Sequence, residues 1–152
     1  MSITLTLPWP ISTNAYWATR VIKKDGRTMA IPYLTHEAKA YKKQIAIAAN
    51  VAGVGEPIRG RVSLNYQLYP ARPLDWQKRQ RKDGVFWDDT VRCLDLDNVQ
   101  KVLFDGLKNI VFEDDSWIRK IIAERMEPDG GEARVVVTIT AIQTEQPQKE
   151  LL

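Results

Sequence analysis

The sequence predicts an α+β protein with a small mixed sheet and two main helices. Three segments have the β-branched, partly alternating pattern of strands: ITLTL at 3–7, VSLNYQLY at 62–69 and VVVTITAI at 135–142. Two others repeat apolar residues at helical spacing, over 36–51 and from about 98 to 110. Because helices and strands are interspersed along the chain, we expect both kinds of element in one fold.

In the first half, the opening strand ends at Pro8-Trp9-Pro10, since proline lacks the amide donor of a strand ladder. Residues 12–32 are polar and turn-rich, and we expect a long loop there with room for a short hairpin at Asp25-Gly26. Thr35 is the expected N-cap of the first main helix.

In the second half, residues 70–92 have neither a strand nor a helix period, and we expect an extended, mobile, basic loop. The turn signal at 128–131 separates a strand near 117–126 from the run at 135–142, which predicts a hairpin of these two strands. Residues 1–145 are expected to form a single domain, and residues 146–152 a frayed tail.

Composition excludes several classes of protein. The chain has 152 residues, 44% hydrophobic and 27% charged, which fits one globular domain and disfavours a disordered chain. No stretch approaches the ~18 apolar residues of a membrane helix, and the N-terminus lacks the pattern of a signal peptide, so we expect a cytoplasmic protein without membrane contact. The single cysteine, Cys93, excludes an internal disulfide and a cysteine-based zinc site.

Charge is unevenly distributed along the chain. Residues 1–82 contain 14 Lys and Arg against 4 Asp and Glu, whereas residues 83–152 contain 8 against 15. Such asymmetry indicates a basic surface for a polyanion, with acidic groups gathered for another purpose, although two solvated faces would give the same counts.

The acidic residues concentrate around the second main helix. Asp95 and Asp97 precede it, two residues apart, and Glu113-Asp114-Asp115 follows it. Carboxylates with few histidines favour Mg²⁺ or Mn²⁺ over zinc, and such a cation promotes phosphodiester hydrolysis. Structural alternatives stay open: Asp97 with Gln100 would make a capping box, and the later cluster would serve as a solvated turn.

The polar face of this helix carries residues at i, i+4 spacing. Asp97, Lys101 and Asp105 share that face, so Lys101 is placed either to offset charge developing on a phosphate or to pair with Asp97. Phe104 projects toward the same side, where a hydrophilic residue is expected.

Three segments together resemble the RusA family of Holliday-junction resolvases: LPWPISTNAYW, DLDNVQKVLFDGL and VFEDDSWI, at 7–17, 95–107 and 111–118. Their order and spacing match the family over most of the chain. Two departures are the long segment from Arg72 to Arg92 and Asn109, which stands where the family usually has a glycine.

The resemblance implies a homodimeric α+β fold, Mg²⁺ dependence and paired symmetric incisions across a four-way DNA junction, in a bacterial or phage-encoded protein. By position, Asp95, Asp97 and Asp115 look like the metal-binding catalytic aspartates, and Lys101 like the functional lysine. Supporting roles are expected for three further polar positions of these segments, Asp114, Asp105 and Asn14. The alternatives are a metal-dependent nuclease for other branched DNA and a junction-binding protein without catalysis.

Basic residues from the first half and from the 70–92 segment are expected to contact phosphates. They are Arg20, Lys23, Lys24, Arg27, Lys39, Lys42, Lys43, Lys78, Arg79, Arg81 and Lys82. Trp76, Phe86 and Trp87 would either stack on unpaired bases or pack the segment down, and Phe104 would be a wedge at the junction centre or a dimer contact.

Overall fold

The computed structural model describes residues 1–143 of the chain, so the expected domain end at 145 and tail at 146–152 lie outside the described residues. The elements in chain order are β1 (Ser2–Pro8), α1 (Thr13–Tyr16), β2 (Trp17–Lys24), β3 (Arg27–Leu34), α2 (His36–Val51), β4 (Val62–Tyr69), α3 (Trp76–Asp83), a 3₁₀ helix (Gly84–Thr90), α4 (Leu96–Leu107), a second 3₁₀ helix (Asp115–Trp117), β5 (Ile118–Arg125) and β6 (Arg134–Ala141). In this described part, no helix is both long and apolar enough to span a membrane.

The predicted mixed sheet is confirmed, with strand order β1-β6-β4-β5. β6 runs antiparallel to both β1 and β4, whereas β5 runs parallel to β4. The predicted hairpin of β5 and β6 is therefore wrong, because β4 lies between the two strands. The segment 126–133 that joins them has eight residues, longer than a tight hairpin turn, and it crosses the end of β4.

The two main helices are also confirmed, and α2 and α4 cover one face of the sheet. Thr35 caps α2, its side chain accepting from the Ala38 amide at 3.1 Å. The apolar stripe of α4 is buried, including Val99, Val102 and Leu103. On the uncovered face, threonine and serine pairs such as Thr4 with Thr138 hydrogen-bond across neighbouring strands, which suits a sheet with one solvated side.

Residues 17–34 form a regular hairpin, β2 with β3, where a mostly irregular loop was expected. Asp25 and Gly26 both have positive φ (52° and 75°), the geometry that a two-residue hairpin turn requires. The hairpin is a separate two-stranded sheet, and most of its residues are exposed. Because neither of its faces is buried, its sequence lacks the alternation that identifies a half-buried strand.

The 70–92 segment is helical, which corrects the expectation of an extended loop. α3 has no buried residue and therefore no apolar period, so the sequence pattern could not predict it. The following 3₁₀ helix anchors it: buried Trp87 donates from Nε1 to Glu127 at 2.6 Å, and Arg125 donates to the carbonyls of Asp88 and Val91. Trp87 thus packs the segment down and is not available for stacking on DNA.

Candidate active site on the α4 face

Two exposed carboxylates lie at the start of α4. Asp95 occupies the N-cap position, but its side chain makes no capping hydrogen bond, and Asp97 follows in the first turn. The predicted alternative of an Asp97–Gln100 capping box is wrong, because Asp95 holds the cap position. Gln100 instead accepts from the hydroxyl of Tyr66 at 2.9 Å, which fixes the first turn of α4 to β4.

The N-terminal segment fastens α4 from the other side. On α1, Thr13 donates from Oγ1 to Oδ1 of Asn98 at 2.9 Å, and Tyr16 donates from its hydroxyl to Asp105. Burial, followed by the hydrogen bond to Asp105, raises the pKa of Tyr16 well above its usual value. The sequence analysis did not predict that Thr13 and Tyr16 contact the residues of α4. The one signal that could have indicated this was that both residues lie in the LPWPISTNAYW segment, which resembles the family.

A cleft of about 240 Å³ runs along the C-terminal half of α4. It is lined by Trp17, Lys101, Phe104, Asp105, Lys108 and Asp115. The structure therefore brings four sequence-predicted site residues together, Lys101, Phe104, Asp105 and Asp115. Phe104 is half-buried in the wall of this cleft and packs against the core.

The neighbouring aspartates 114 and 115 have different surroundings. Asp114 caps the short 3₁₀ helix by accepting from Ser116, and its Oδ1 lies 3.0 Å from Nζ of Lys108. Hydrogen bonds from Ser116 and then Lys108 hold the pKa of Asp114 well below its usual range. Asp114 is thus occupied by protein partners, whereas exposed Asp115 faces the cleft.

Asp105 is held from two sides. Besides the hydroxyl of Tyr16, its Oδ2 lies 3.6 Å from Nζ of Lys42 on α2. Within residues 1–143, by contrast, Asp97 and Lys101 form no ion pair with each other, although their i, i+4 spacing permits one. The carboxylate of Asp97 and the ammonium group of Lys101 therefore both remain open to solvent or substrate.

The candidate metal ligands lie on two elements. Asp95 and Asp97 are at the start of α4, whereas Asp115 is on the second 3₁₀ helix and faces the cleft with Lys101 and Asp105. At 1.5 Å rise per residue, Asp97 lies about 6 Å along the α4 axis from Lys101 and about 12 Å from Asp105. Within residues 1–143, no three His, Cys, Asp or Glu side chains come close enough together to hold a metal ion. The oxygen donors suit Mg²⁺ chemically, but this chain alone does not converge them into a three-carboxylate cage.

Eight of the eleven candidate DNA-contacting cations lie on two protruding elements, the β2–β3 hairpin and α3, and the other three, Lys39, Lys42 and Lys43, lie on α2. Lys23, Lys24 and Arg27 are exposed at the tip of the β2–β3 hairpin, where Lys24 and Arg27 are opposite each other in the strand register, on either side of the turn. Lys78, Arg81 and Lys82 are exposed on α3, at i, i+3 and i+4 spacing, and so share one helix face.

Arg79 and Asn14 differ in their surroundings. The guanidinium group of Arg79 turns back into the protein, 2.8 Å from Asp75 Oδ1 and 2.9 Å from the carbonyl oxygen of Thr90. Arg79 therefore holds α3 against the following 3₁₀ helix instead of facing solvent with its neighbours. Asn14 is exposed on α1, between the two residues that fasten α1 to α4.

A family model described as Endodeoxyribonuclease RusA matches residues 8–140. The matched range includes the α4 face, its cleft and both cationic elements. A search among curated proteins finds no match.

Proposed function

The chain belongs to the RusA family of endodeoxyribonucleases, structure-specific enzymes of Holliday-junction resolution, and from that premise we propose that it cuts four-way DNA junctions by paired, Mg²⁺-dependent incisions. The observation that carries this proposal is the α4 face itself. Exposed Asp95, Asp97 and Lys101 lie at the start and along one side of α4, and exposed Asp115, on the second 3₁₀ helix, faces the same cleft as Lys101.

Asp95, Asp97 and Asp115 would hold the cation, with Mn²⁺ as a substitute for Mg²⁺. Mg²⁺ in nucleic-acid enzymes is commonly bound by one or two carboxylates together with substrate phosphates and water, so a three-carboxylate cage in the free chain is not required. When bound, the cation would polarise the scissile phosphate and lower the pKa of an attacking water.

The protein's own residues supply the remaining functions in this proposal. Lys101 faces the cleft with Asp115, where its ammonium group would stabilise negative charge developing on the phosphate oxygens. Asp105 would hold this wall of the cleft in place, because its carboxylate is held by Tyr16 and Lys42. Asn14, exposed on α1 next to Thr13, would support the same region.

Binding of DNA is assigned to the two cationic elements. Both are exposed, and their phosphate contacts would provide affinity and salt dependence without reading sequence. Phe104, half-buried in the cleft wall, would support the junction centre.

We further propose that the active form is a homodimer. A four-way junction is approximately two-fold symmetric, so a two-fold dimer would present one site to each of two equivalent strands. The edge strand β5 supports this proposal. Its neighbouring residues Ile121 and Ile122 point to opposite faces and are 40% and 47% exposed, and Trp117 just before it is 42% exposed.

The test is cleavage of a synthetic mobile four-way junction, compared with matched duplex, flap and single strand, with Mg²⁺ and with EDTA. We expect paired symmetric nicks in the junction alone, only with Mg²⁺. Asp95→Asn should abolish cutting and retain junction binding, since it removes a metal ligand together with a negative charge. Asp89→Asn, an exposed aspartate on the first 3₁₀ helix, is the matched control and should cut normally.

Each contrary outcome has a definite meaning. Cutting of flaps in preference to junctions would make the protein a nuclease for other branched DNA. Junction binding without nicks under any divalent cation would indicate a non-catalytic junction-binding protein. Normal cutting by Asp95→Asn would contradict the metal-ligand assignment.

A further inference from the structure

A second cavity, of about 360 Å³, lies beside Asp95 and away from the α4 cleft. It is lined by Trp9, Ala71, Arg92, Cys93, Leu94 and Ala133. Trp9 directly follows β1, Ala71 lies two residues after β4, Ala133 directly precedes β6, and the other three lining residues lead into α4. The cavity therefore opens at one end of the sheet, where β1 and β4 end and β6, which lies between them, begins.

The cavity and the proposed catalytic carboxylate share one stretch of backbone. Cys93 and Leu94, which line the cavity, immediately precede Asp95, and Asp95 has extended dihedral angles (φ −68°, ψ 141°). A nucleotide strand whose phosphate lies at Asp95 would thus have the cavity within reach of a neighbouring base.

The lining chemistry matches a nucleobase. The indole of Trp9 offers a flat aromatic face, Ala71, Leu94 and Ala133 are apolar, and the exposed guanidinium of Arg92 supplies hydrogen-bond donors and positive charge. Proteins bind unpaired bases by stacking on aromatic rings and by hydrogen bonds to the base edge. The volume is in the range of small-molecule sites, ~300–1,000 Å³.

We propose that this cavity accepts an unstacked nucleobase adjacent to the scissile phosphate and thereby sets the base preference of incision. This inference rests on the proposed nuclease function, and it names Trp9 and Arg92 as specificity-determining residues for that site. A nucleotide offers contacts to both the Trp9 ring and the Arg92 cation, whereas an aliphatic ligand offers none to Arg92.

The first experiment is photo-crosslinking with the wild-type chain in EDTA, using junctions that carry 5-iododeoxyuridine at one position at a time around the incision point. We expect one position next to the incised phosphate to crosslink to Trp9 itself, assigned by fragmentation of the crosslinked peptide, because the tryptic peptide 1–20 carries both Trp9 and Trp17. Crosslinks only to other tryptophans, or none at any position near the incision, would overturn the proposal.

The second experiment measures cleavage rates on four junctions that differ only in the base at that position. Wild type should favour one base, Trp9→Leu should reduce that preference about 10-fold, and Trp9→Phe should restore most of it because a phenyl ring still stacks. Circular dichroism and thermal melting of Trp9→Leu check that the corner after β1 still folds.

The two failures are distinguishable. If wild type cuts no junction, the proposed function fails and the base preference has no meaning. If wild type cuts junctions, but without base preference or with a preference that Trp9→Leu leaves unchanged, the nuclease assignment stands and the cavity proposal is wrong.

Discussion

The hydroxyl of Tyr16 donates a hydrogen bond to the carboxylate of Asp105, across 89 positions of sequence. Tyr16 is completely buried at the end of α1, and Asp105 lines the cleft that also contains Lys101 and Asp115. The contact therefore connects the N-terminal segment to the proposed catalytic face, and Asp105 has a fixed carboxylate instead of a freely rotating one.

Tyr16→Phe should lower kcat on a four-way junction about 10-fold with little change in KM. Removing the hydroxyl leaves Asp105 with only the longer contact to Lys42, so the orientation of the cleft relaxes while DNA binding elsewhere is kept. Losses of ~10- to 100-fold are typical when a group that orients an active-site residue is removed. Single-turnover and steady-state cleavage kinetics separate the two constants.

Tyr41→Phe is the matched control for that substitution. Its hydroxyl is also buried and donates to the carbonyl of Pro8 at 2.8 Å, but it is not among the residues lining the cleft. Both variants should lose about 1 kcal/mol of unfolding free energy. Equal losses of kcat in the two variants would show that Tyr16 acts only through stability.

Lys101→Ala should reduce turnover at least 10-fold and leave junction affinity within about twofold. Its ammonium group forms no ion pair with Asp97 or Asp105, so its removal disturbs no such contact within residues 1–143. Loss of transition-state stabilisation then appears in kcat, the pattern of a group acting on developing charge. Electrophoretic binding assays in EDTA measure affinity, and equal loss of affinity and turnover would make Lys101 a phosphate-positioning residue.

The two cationic elements should contribute separately to the salt dependence of junction binding. Replacing Lys78, Arg81 and Lys82 by glutamine should reduce the slope of log K against log salt by ~0.9 for each phosphate that the variant no longer neutralises. The hairpin variant with Lys23, Lys24 and Arg27 replaced should behave in the same way. An unchanged slope in either triple variant would exclude that element from phosphate binding.

Apart from β5, a mostly exposed strand that was expected near 117–126, the elements that the sequence predicted are those with a buried face. α4 was predicted because Val99, Val102 and Leu103 face the core at helical spacing, and β4 because Val62, Leu64, Tyr66 and Leu68 do so at strand spacing. The hairpin at 17–34 and α3 have little or no buried surface, so no period marks them. Hydrophobic periodicity records burial, and it carries no information about elements that project into solvent.

The candidate site was predictable as a set of residues but not as a geometry. Motif positions predicted Asp95, Asp97, Lys101 and Asp115 as site residues and already favoured Asp115 over Asp114, whereas the physical difference between Asp114 and Asp115 comes from the contacts of Asp114 with Ser116 and Lys108. That distinction depends on tertiary contacts between the end of α4 and the following 3₁₀ helix. The buried partner Tyr16 lies still further from Asp105 in sequence, and no local pattern connects them.

Alkaline pH should destabilise the fold through its buried tyrosines. Burial, and then the negative charge of Asp97, raises the pKa of Tyr66 from 10.0 to about 12. Between these values the folded state keeps a proton that the unfolded state releases, so the contribution is intact below about pH 10 and is lost as pH rises toward 12. Urea unfolding from pH 8 to 11 should show falling stability, with a shallower fall in Tyr66→Phe; an identical pH profile would contradict the assignment.

The contact between α2 and α4 allows a stability test that also reaches the site. Gly106 is buried on α4, and a Cβ added there would collide with Cδ1 of Ile45 on α2. Gly106→Ala should lower the unfolding free energy by about 1 kcal/mol, because overpacking outweighs the gain in helix propensity. Ile45→Val removes that methyl group and should cost ~0.5–1.5 kcal/mol alone, yet the double variant should be more stable than the sum of the single losses predicts.

Cleavage rates of the same variants test whether helix spacing matters for the site. α2 also carries Lys42, whose Nζ lies 3.6 Å from Asp105 on α4, so pushing the helices apart weakens this contact. Gly106→Ala should therefore reduce kcat as well as stability, and Ile45→Val in the double variant should restore both together. Restored stability without restored kcat would mean that Lys42 does not help to orient Asp105.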